Sequence, residues 1–289
     1  MIFLVPTLAL LLQAIISVHT ELVVVPAVVT GTRGQRVSGL TQDNFRVFED
    51  GHPLPVVAFH HGDASLTLGL LVDRSQSMRS KADALFAVVS RVVQAASARD
   101  ELFAVSFNDS VKLALPDDRP FTRVPGEILE AAAAIPAEGL TALYDGVAAG
   151  LAQLQRGHAE RHALIIVSDG GDNASRAKYA DILALARQSD AVIYAIGLLG
   201  TSPTEEQEDA GLLTRLCKDT GGVAYFPKTA EEIATVSEQI ASDLREQYTL
   251  GFTPAESPGP KRFHRIEVRA TGIDHRKLHV RARTGYLTR

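Results

Sequence analysis

From Leu66 onward the chain alternates short, continuous apolar runs with one-sided helical stretches, and this alternation restricts the fold more than any other feature. The runs are LTLGLLVD, LFAVSF, ALIIVSD, AVIYAIG and VAYF. They lack the in-and-out alternation of a half-solvated strand, as strands covered on both faces do. Between them the spacing predicts helices over residues 81–98, around 128–134, from 143, near 179–188, near 205–218 and near 230–246. Two of these carry apolar stripes at helical spacing: Leu143, Val147, Leu151 and Leu154, then Ile233, Val236, Ile240 and Leu244. Strand and helix in turn build an α/β domain, a doubly wound, mostly parallel sheet with helices on both faces.

The two ends read differently. Residues 21–62 offer ELVVVPAVVT, FRVFEDG and PLPVVAFH as short strands, with a turn at Asp50-Gly51. After the last helix come YTLGF, a Pro/Gly-rich turn over 254–260, RFHRIEVRA and RKLHVRA. In the last two, Ile266, Val268, Ala270, Leu278, Val280 and Ala282 face one side, with Arg265, Glu267 and Arg269 on the other. Neither end can bury its apolar faces alone, so the two are expected to pair into a small β-sandwich. The predicted organisation is residues 1–20 as a signal or anchor, 21–62 with 248–289 as the sandwich, and 63–247 as the α/β domain.

Composition then narrows the function classes. Hydrophobic residues at 46% and charged residues at 22% fit a packed core and exclude a disordered or fibrous chain. The net charge of -5 hides a basic tail: residues 261–289 hold nine Lys or Arg against Glu267 and Asp274, leaving -12 on the rest. These charges alternate with apolar residues, so they read as the solvent face of strands and no nucleic-acid partner is expected. The sole cysteine, Cys217, excludes an intrachain disulfide and a cysteine-based zinc cluster, and reads as a small buried helix residue. Residues 1–19 form an apolar run of signal-peptide length without a preceding Lys or Arg and with His19 and Thr20 where small residues belong. The run predicts export, either cleaved or kept as an N-terminal membrane anchor, and hence a periplasmic, secreted or membrane-anchored chain.

Three short motifs fall outside the carboxyl ends of strands, where open α/β sheets bind ligands. Asp73-Arg74-Ser75-Gln76-Ser77 supplies a carboxylate and two hydroxyls, and Gly139-Leu140-Thr141 places a hydroxyl on a loop entering a helix. Asp169 is followed by Gly170 and Gly171, which permit close backbone approach. Oxygen donors without a thiolate suit a hard cation, Mg²⁺ or alternatively Mn²⁺ or Ca²⁺. Three neutral hydroxyls leave such an ion most of its charge, and one coordination position is then free for an outside oxygen. The natural donor is an Asp or Glu presented by a protein partner. The plain alternative is that Ser75 or Ser77 only caps the next helix. His60 and His61 lack a third ligand at metal-site spacing, and His158 and His162 read as capping or exposed residues. Tyr144, Asp145, Asp172 and Asn173 fit a site rim and an ordinary loop or helix face equally.

D-x-S-x-S at the end of the first α/β strand, a later Thr in a G-L-T loop and S-D-G after another strand resemble the metal-ion-dependent adhesion site of von Willebrand factor type A and integrin I domains. The resemblance covers roughly residues 64–247 and implies Ser75, Ser77 and Thr141 as direct or near-direct metal ligands, with Asp73 and Asp169 acting directly or through water. The flanks VSGLTQDNFRVFEDGHPLPVVAF, LREQYTLGF and RARTGY are similar to those of a bacterial subset of von Willebrand A-related proteins. The expected function is a divalent-metal-dependent protein-binding module for adhesion or assembly, not an enzyme. The runner-up is an assembly component in which the metal is incidental. A metal-dependent phosphohydrolase with Asp73 as nucleophile is disfavoured, because Ser75 stands where such an enzyme needs a second carboxylate. Neither a Gly-x-Ser-x-Gly elbow nor a Gly-Lys-Ser/Thr phosphate loop occurs.

Overall fold

The computed structural model describes residues 22–62, 64–199, 203–255, 262–272 and 276–288, with the backbone alone for 203–209. The apolar run at 1–19 and most of the turn expected over 254–260 lie outside the described residues. The first strands are β1 (Val23–Thr30), β2 (Phe45–Glu49), β3 (His52–Leu54) and β4 (Ala58–His61). The α/β part then runs β5 (Leu66–Asp73), α1 (Ala82–Gln94), β6 (Glu101–Phe107), β7 (Val111–Leu113), α2 (Pro125–Ala133), α3 (Leu143–Leu154) and β8 (Arg161–Ser168). It continues through α4 (Tyr179–Gln188), β9 (Val192–Gly197), α5 (Pro203–Thr220), β10 (Ala224–Tyr225) and α6 (Ala230–Arg245). The chain closes with β11 (Tyr248–Phe252), β12 (Phe263–Ala270), β13 (His279–Ala282) and β14 (Gly285–Leu287).

The central sheet has the order β10-β9-β8-β5-β6-β7, parallel throughout except for β7. Every residue of β5 is buried, which is why its sequence is an unbroken apolar run. Leu68, Leu70 and Val72 pack on one face against α1, α2 and α6, while Leu71 packs on the other among α3, α4 and α5. Both predicted helix stripes lie in these two cores. The doubly wound sheet is therefore as expected. It lets the chain leave β5 towards β6 and return on the opposite side at β8, creating a switch point where the carboxyl ends of β5 and β8 meet.

Local differences have physical causes. The helix expected from 81 to 98 is preceded by a 3-10 turn, Gln76–Lys81, and stops at Gln94. Downstream, Asp100 accepts from the Ser97 amide at 2.7 Å and so holds a turn in place of further helix. The β7 strand was not expected, since three residues around Lys112 carry no periodicity; Asn108 makes it by turning the chain, its side chain accepting from the Ser110 amide at 3.1 Å.

The end segments form two antiparallel four-stranded sheets, β13-β1-β11-β4 and β14-β12-β2-β3, each mixing strands from both termini. Val25, Val29, Phe45, Val47, Tyr248, Leu250, Phe252 and Ile266 share one apolar core, which is the expected sandwich. PLPVVAFH does not form one strand: it splits around Pro55 into β3 and β4, which join different sheets. Pro55 has no N–H for a ladder, so the chain can cross from one layer to the other there.

The basic tail is only half a solvent face. Arg265 and Arg269 are exposed, but Arg283 is buried and donates to the carbonyls of Gly285, Ser189 and Arg187. Arg281 reaches Asp243 of α6, which also accepts from Arg36 at 2.6 Å and from the Tyr194 hydroxyl at 3.3 Å. This buried carboxylate thus ties both chain ends to the α/β part. Asp243→Ala should lower the unfolding free energy by about 3–5 kcal/mol in denaturant titration, because two arginines lose their counter-charge. A loss below about 1 kcal/mol would show that the contact is solvent-screened. Cys217 is buried as expected, and burial pushes its thiol up. His162 is not an exposed cap: its Nδ1 pairs with Asp190 at 2.9 Å.

Candidate functional site

The three motifs meet at the switch point. Asp73 is the last residue of β5 and is fully buried. Its Oδ1 accepts from the Ser75 amide at 2.8 Å, and its Oδ2 accepts from the Ser168 hydroxyl, the end of β8, at 2.5 Å. Ser168 Oγ in turn accepts from the Gly170 amide at 3.0 Å. A positive φ of 98° at Gly170 makes that return of the backbone possible, a conformation that penalises other residues.

Backbone bonds lace the loops together. The Gln76 amide donates to the Gly139 carbonyl at 3.0 Å, and the Glu138 amide donates to the Arg74 carbonyl at 2.9 Å. Gly139 has φ 78°, and a Cβ there would collide with the Asp109 carboxylate, which holds the Leu140 amide at 2.8 Å. The Thr141 amide donates to Asn173 Oδ1 at 2.8 Å, and the Thr141 carbonyl accepts from the Asn173 and Ala174 amides. Thr141 is thereby fixed by the loop after β8, and the next amide, that of Ala142, donates to the Asn108 carbonyl at 2.8 Å.

The hydroxyls of Ser75 and Ser77 lie 3.0 Å apart. With Gln76, Arg79, Ser80, Gly139, Leu140, Thr141 and Asn173 they line an open depression of about 670 Å³. Ser75 and Thr141 are buried whereas Ser77 is exposed, so the hydroxyls grade from the base of the site to its mouth. Asp73 and Asp169 do not line the depression: Asp73 is bonded beneath Ser75, and Asp169 is engaged by Lys81, whose Nζ donates to Oδ2 at 3.1 Å. Among the described residues no three His, Cys, Asp or Glu side chains converge as a metal cluster. Beyond two carboxylates the donors are hydroxyls, a set that fits a hard cation and not a thiophilic one.

Sequence reasoning did not single out Ser168, Lys81 or Asp109. Ser168 was visible as the first letter of S-D-G, but its role depends on β8 lying beside β5. Asp172 and Asp145 prove to be loop fasteners: Asp172 accepts from the Tyr144 amide and the Ser175 hydroxyl, and Asp145 accepts from the amides of Arg176 and Ala177. Ser75 sits at the N-cap of the 3-10 turn without a side-chain cap hydrogen bond, so capping does not explain its hydroxyl.

Burial pushes the Asp73 carboxyl up to about 6; hydrogen bonds from Ser168 and Ser75 oppose the shift and the charge of Asp169 adds to it. The folded value therefore exceeds the ordinary 3.8, and the metal-free folded state keeps a proton that the unfolded chain has released. Stability from this group is complete below the unfolded value and is lost as pH rises through the folded one. In chelator, wild type should lose about 2–3 kcal/mol relative to Asp73→Asn between about pH 4 and about pH 7, read from denaturant titrations at each pH. A difference constant across that range would remove burial as the dominant influence.

A family model of the von Willebrand factor type A domain matches residues 68–239. Among solved structures, the chain is similar to proximal thread matrix protein 1 from the mussel byssus, at 14% identity and TM-score 0.52, with 68% of this chain and 51% of that one covered. It is similar to a von Willebrand factor type A protein from Catenulispora acidiphila at 12% identity and TM-score 0.48, covering 81% of this chain and 74% of that chain. Similarity to the PilB minor pilin of Streptococcus sanguinis, at 14% identity and TM-score 0.48, covers 64% and 62%. The chain thus spans about half of the mussel protein and under two thirds of the pilin. At these identities the likeness concerns the fold alone. Among curated proteins nothing matches.

Proposed function

Because this chain belongs to the von Willebrand factor type A domain family, we propose that it is a divalent-metal-dependent protein-binding module that captures an Asp or Glu of its partner. The observation that carries the proposal is the fully buried Asp73 carboxylate, which accepts from the Ser75 amide and the Ser168 hydroxyl next to the paired Ser75 and Ser77 hydroxyls. A carboxylate is costly to bury without a counter-charge, and a hard cation supplies one. Ser75, Ser77 and Thr141 would hold the ion, with Asp73 and Asp169 acting directly or through water. A bound Mg²⁺, Mn²⁺ or Ca²⁺ contributes positive charge and a coordination position open to an outside carboxylate.

The remaining work belongs to the chain. The lacing of the loops around residues 75, 139, 141 and 173 fixes the hydroxyls in advance, so little ordering entropy is spent on binding. Exposure of Ser77 leaves the mouth of the site accessible to a protruding side chain. Calorimetric titration with Mg²⁺ should reveal one site on the wild-type chain. Thr141→Ala, which removes one hydroxyl without changing charge, should weaken that site about tenfold, the worth of one charge-assisted contact of about 1.5 kcal/mol. Absence of any divalent-cation binding by the folded wild type would overturn the proposal.

A further inference from the structure

Resting on that reading, we infer that Lys81 sets the electrostatic balance of the site: it weakens the chain's grip on the cation and strengthens the cation's pull on an outside carboxylate. Lys81 ends the 3-10 turn that begins beside Ser75, and its ammonium donates to Asp169 Oδ2 at 3.1 Å. The two side chains are only 20% and 15% exposed, so their charges are screened far less than those of a surface pair. The other basic residues of this stretch make their hydrogen bonds elsewhere, although the Arg74 charge still acts on the neighbouring Asp73. Arg74 donates to the Ile135 carbonyl and lies over the Phe86 ring, and Arg79 donates to the Ala137 carbonyl. Among the described residues, Lys81 alone of these three makes a salt bridge to a site carboxylate.

The consequence follows from formal charge. Asp73 and Asp169 bring two negative charges close to one divalent ion, so on their own they reduce the positive charge that the hydroxyl ligands leave for a further anion. The ammonium of Lys81 adds one positive charge to that balance, next to Asp169. The same ammonium repels an incoming cation and competes with it for Asp169. Metal affinity is thereby exchanged for carboxylate affinity, which is what a module that must hold a partner through an acidic side chain requires. Lys81 is a charge-setting residue that acts through Asp169, not a ligand.

The alternative role for Lys81, merely orienting Asp169, predicts the opposite sign on removal. Calorimetry with Mg²⁺ alone on the full chain separates them: Lys81→Met should bind Mg²⁺ on the order of tenfold more tightly than wild type, and Lys81→Arg should stay close to wild type. On the Mn²⁺-loaded proteins, acetate should displace metal-bound water from Lys81→Met on the order of tenfold less readily, read by water-proton relaxation. Should Lys81→Met lose its fold by circular dichroism, Lys81→Gln carries the same comparison. Weaker or unchanged Mg²⁺ binding by the folded neutral variant, or undiminished acetate binding, overturns the role of Lys81 while leaving the metal site standing. Failure of wild type itself to bind Mg²⁺ overturns the site, a distinguishable result.

Discussion

Deletion of residues 248–289 should convert the protein into an aggregating, protease-sensitive chain, and the loss should reach the α/β part as well as the sandwich. In the intact sheet β1 is flanked on one side by β11, Val23 to Ala27 facing Phe252 to Tyr248, and on the other by β13. Removing both neighbours leaves β1 as an isolated strand with open edges and exposes Val25, Ala27 and Val29, all now buried. β2 likewise loses β12, keeping only the three-residue β3 as neighbour. A two-stranded remnant with an apolar face is not independently stable in water. The cut also removes Arg281 from Asp243 and Arg283 from the carbonyls of Ser189 and Arg187, so α6 and the end of α4 lose their anchors. Limited proteolysis and sedimentation of the truncated chain give the readout. A fragment as soluble and as protected as the full chain would refute the shared sheets.

The elements that were legible in advance share one property: a single packing demand dominates each. β5, β8 and β9 are buried on both faces, which favours apolar residues throughout, and α3 and α6 each place their large apolar residues on one stripe. What was not legible depends on partners remote in sequence. The split of the run around Pro55 into two sheets is decided by where β11 and β2 lie. β14 was invisible as a strand because Gly285 carries no side chain and only three residues pair, yet it supplies Tyr286 to the sandwich core. Arg281 and Arg283 sit at alternating positions that look solvent-facing, but the surface they face belongs to the α/β part and offers Asp243 and free carbonyls.

The candidate site divides in the same way. Asp73, Ser75, Ser77, Thr141 and Asp169 were readable because oxygen donors recur at strand ends, which a topological rule marks as ligand positions. Their supports were not. Ser168 acts on Asp73 only because β8 pairs with β5, 95 residues apart in the bond they share. Lys81 acts on Asp169 across a separation of 88 residues, and Asp109 holds Leu140 across 31. Spacing identifies what a loop can donate, whereas pairing of strands decides which loop receives it.

Asp73→Asn should move metal binding and stability in opposite directions. Asn is close in shape, can still accept from the Ser75 amide, and can donate to the Ser168 hydroxyl in place of accepting from it. What disappears is the negative charge, and with it the strongest attraction that the buried end of the site offers a cation. Mg²⁺ affinity should therefore fall by at least about a hundredfold, close to 3 kcal/mol, in the calorimeter. The same charge is what burial resists, holding the carboxyl up at about 6. In chelator near neutral pH the variant should accordingly be more stable than wild type, by about 2–3 kcal/mol if the whole shift is relieved. Saturating Mg²⁺ should close the gap, since a ligand at about a hundred times its dissociation constant contributes about 2.7 kcal/mol to a protein that binds it and nothing to one that does not. Two outcomes would break the link between burial and metal binding: a variant less stable than wild type in chelator, or one that still gains stability from Mg²⁺ as wild type does. The first would mean that the Asp73 charge is already compensated within the chain. The second would mean that the ion binds without it.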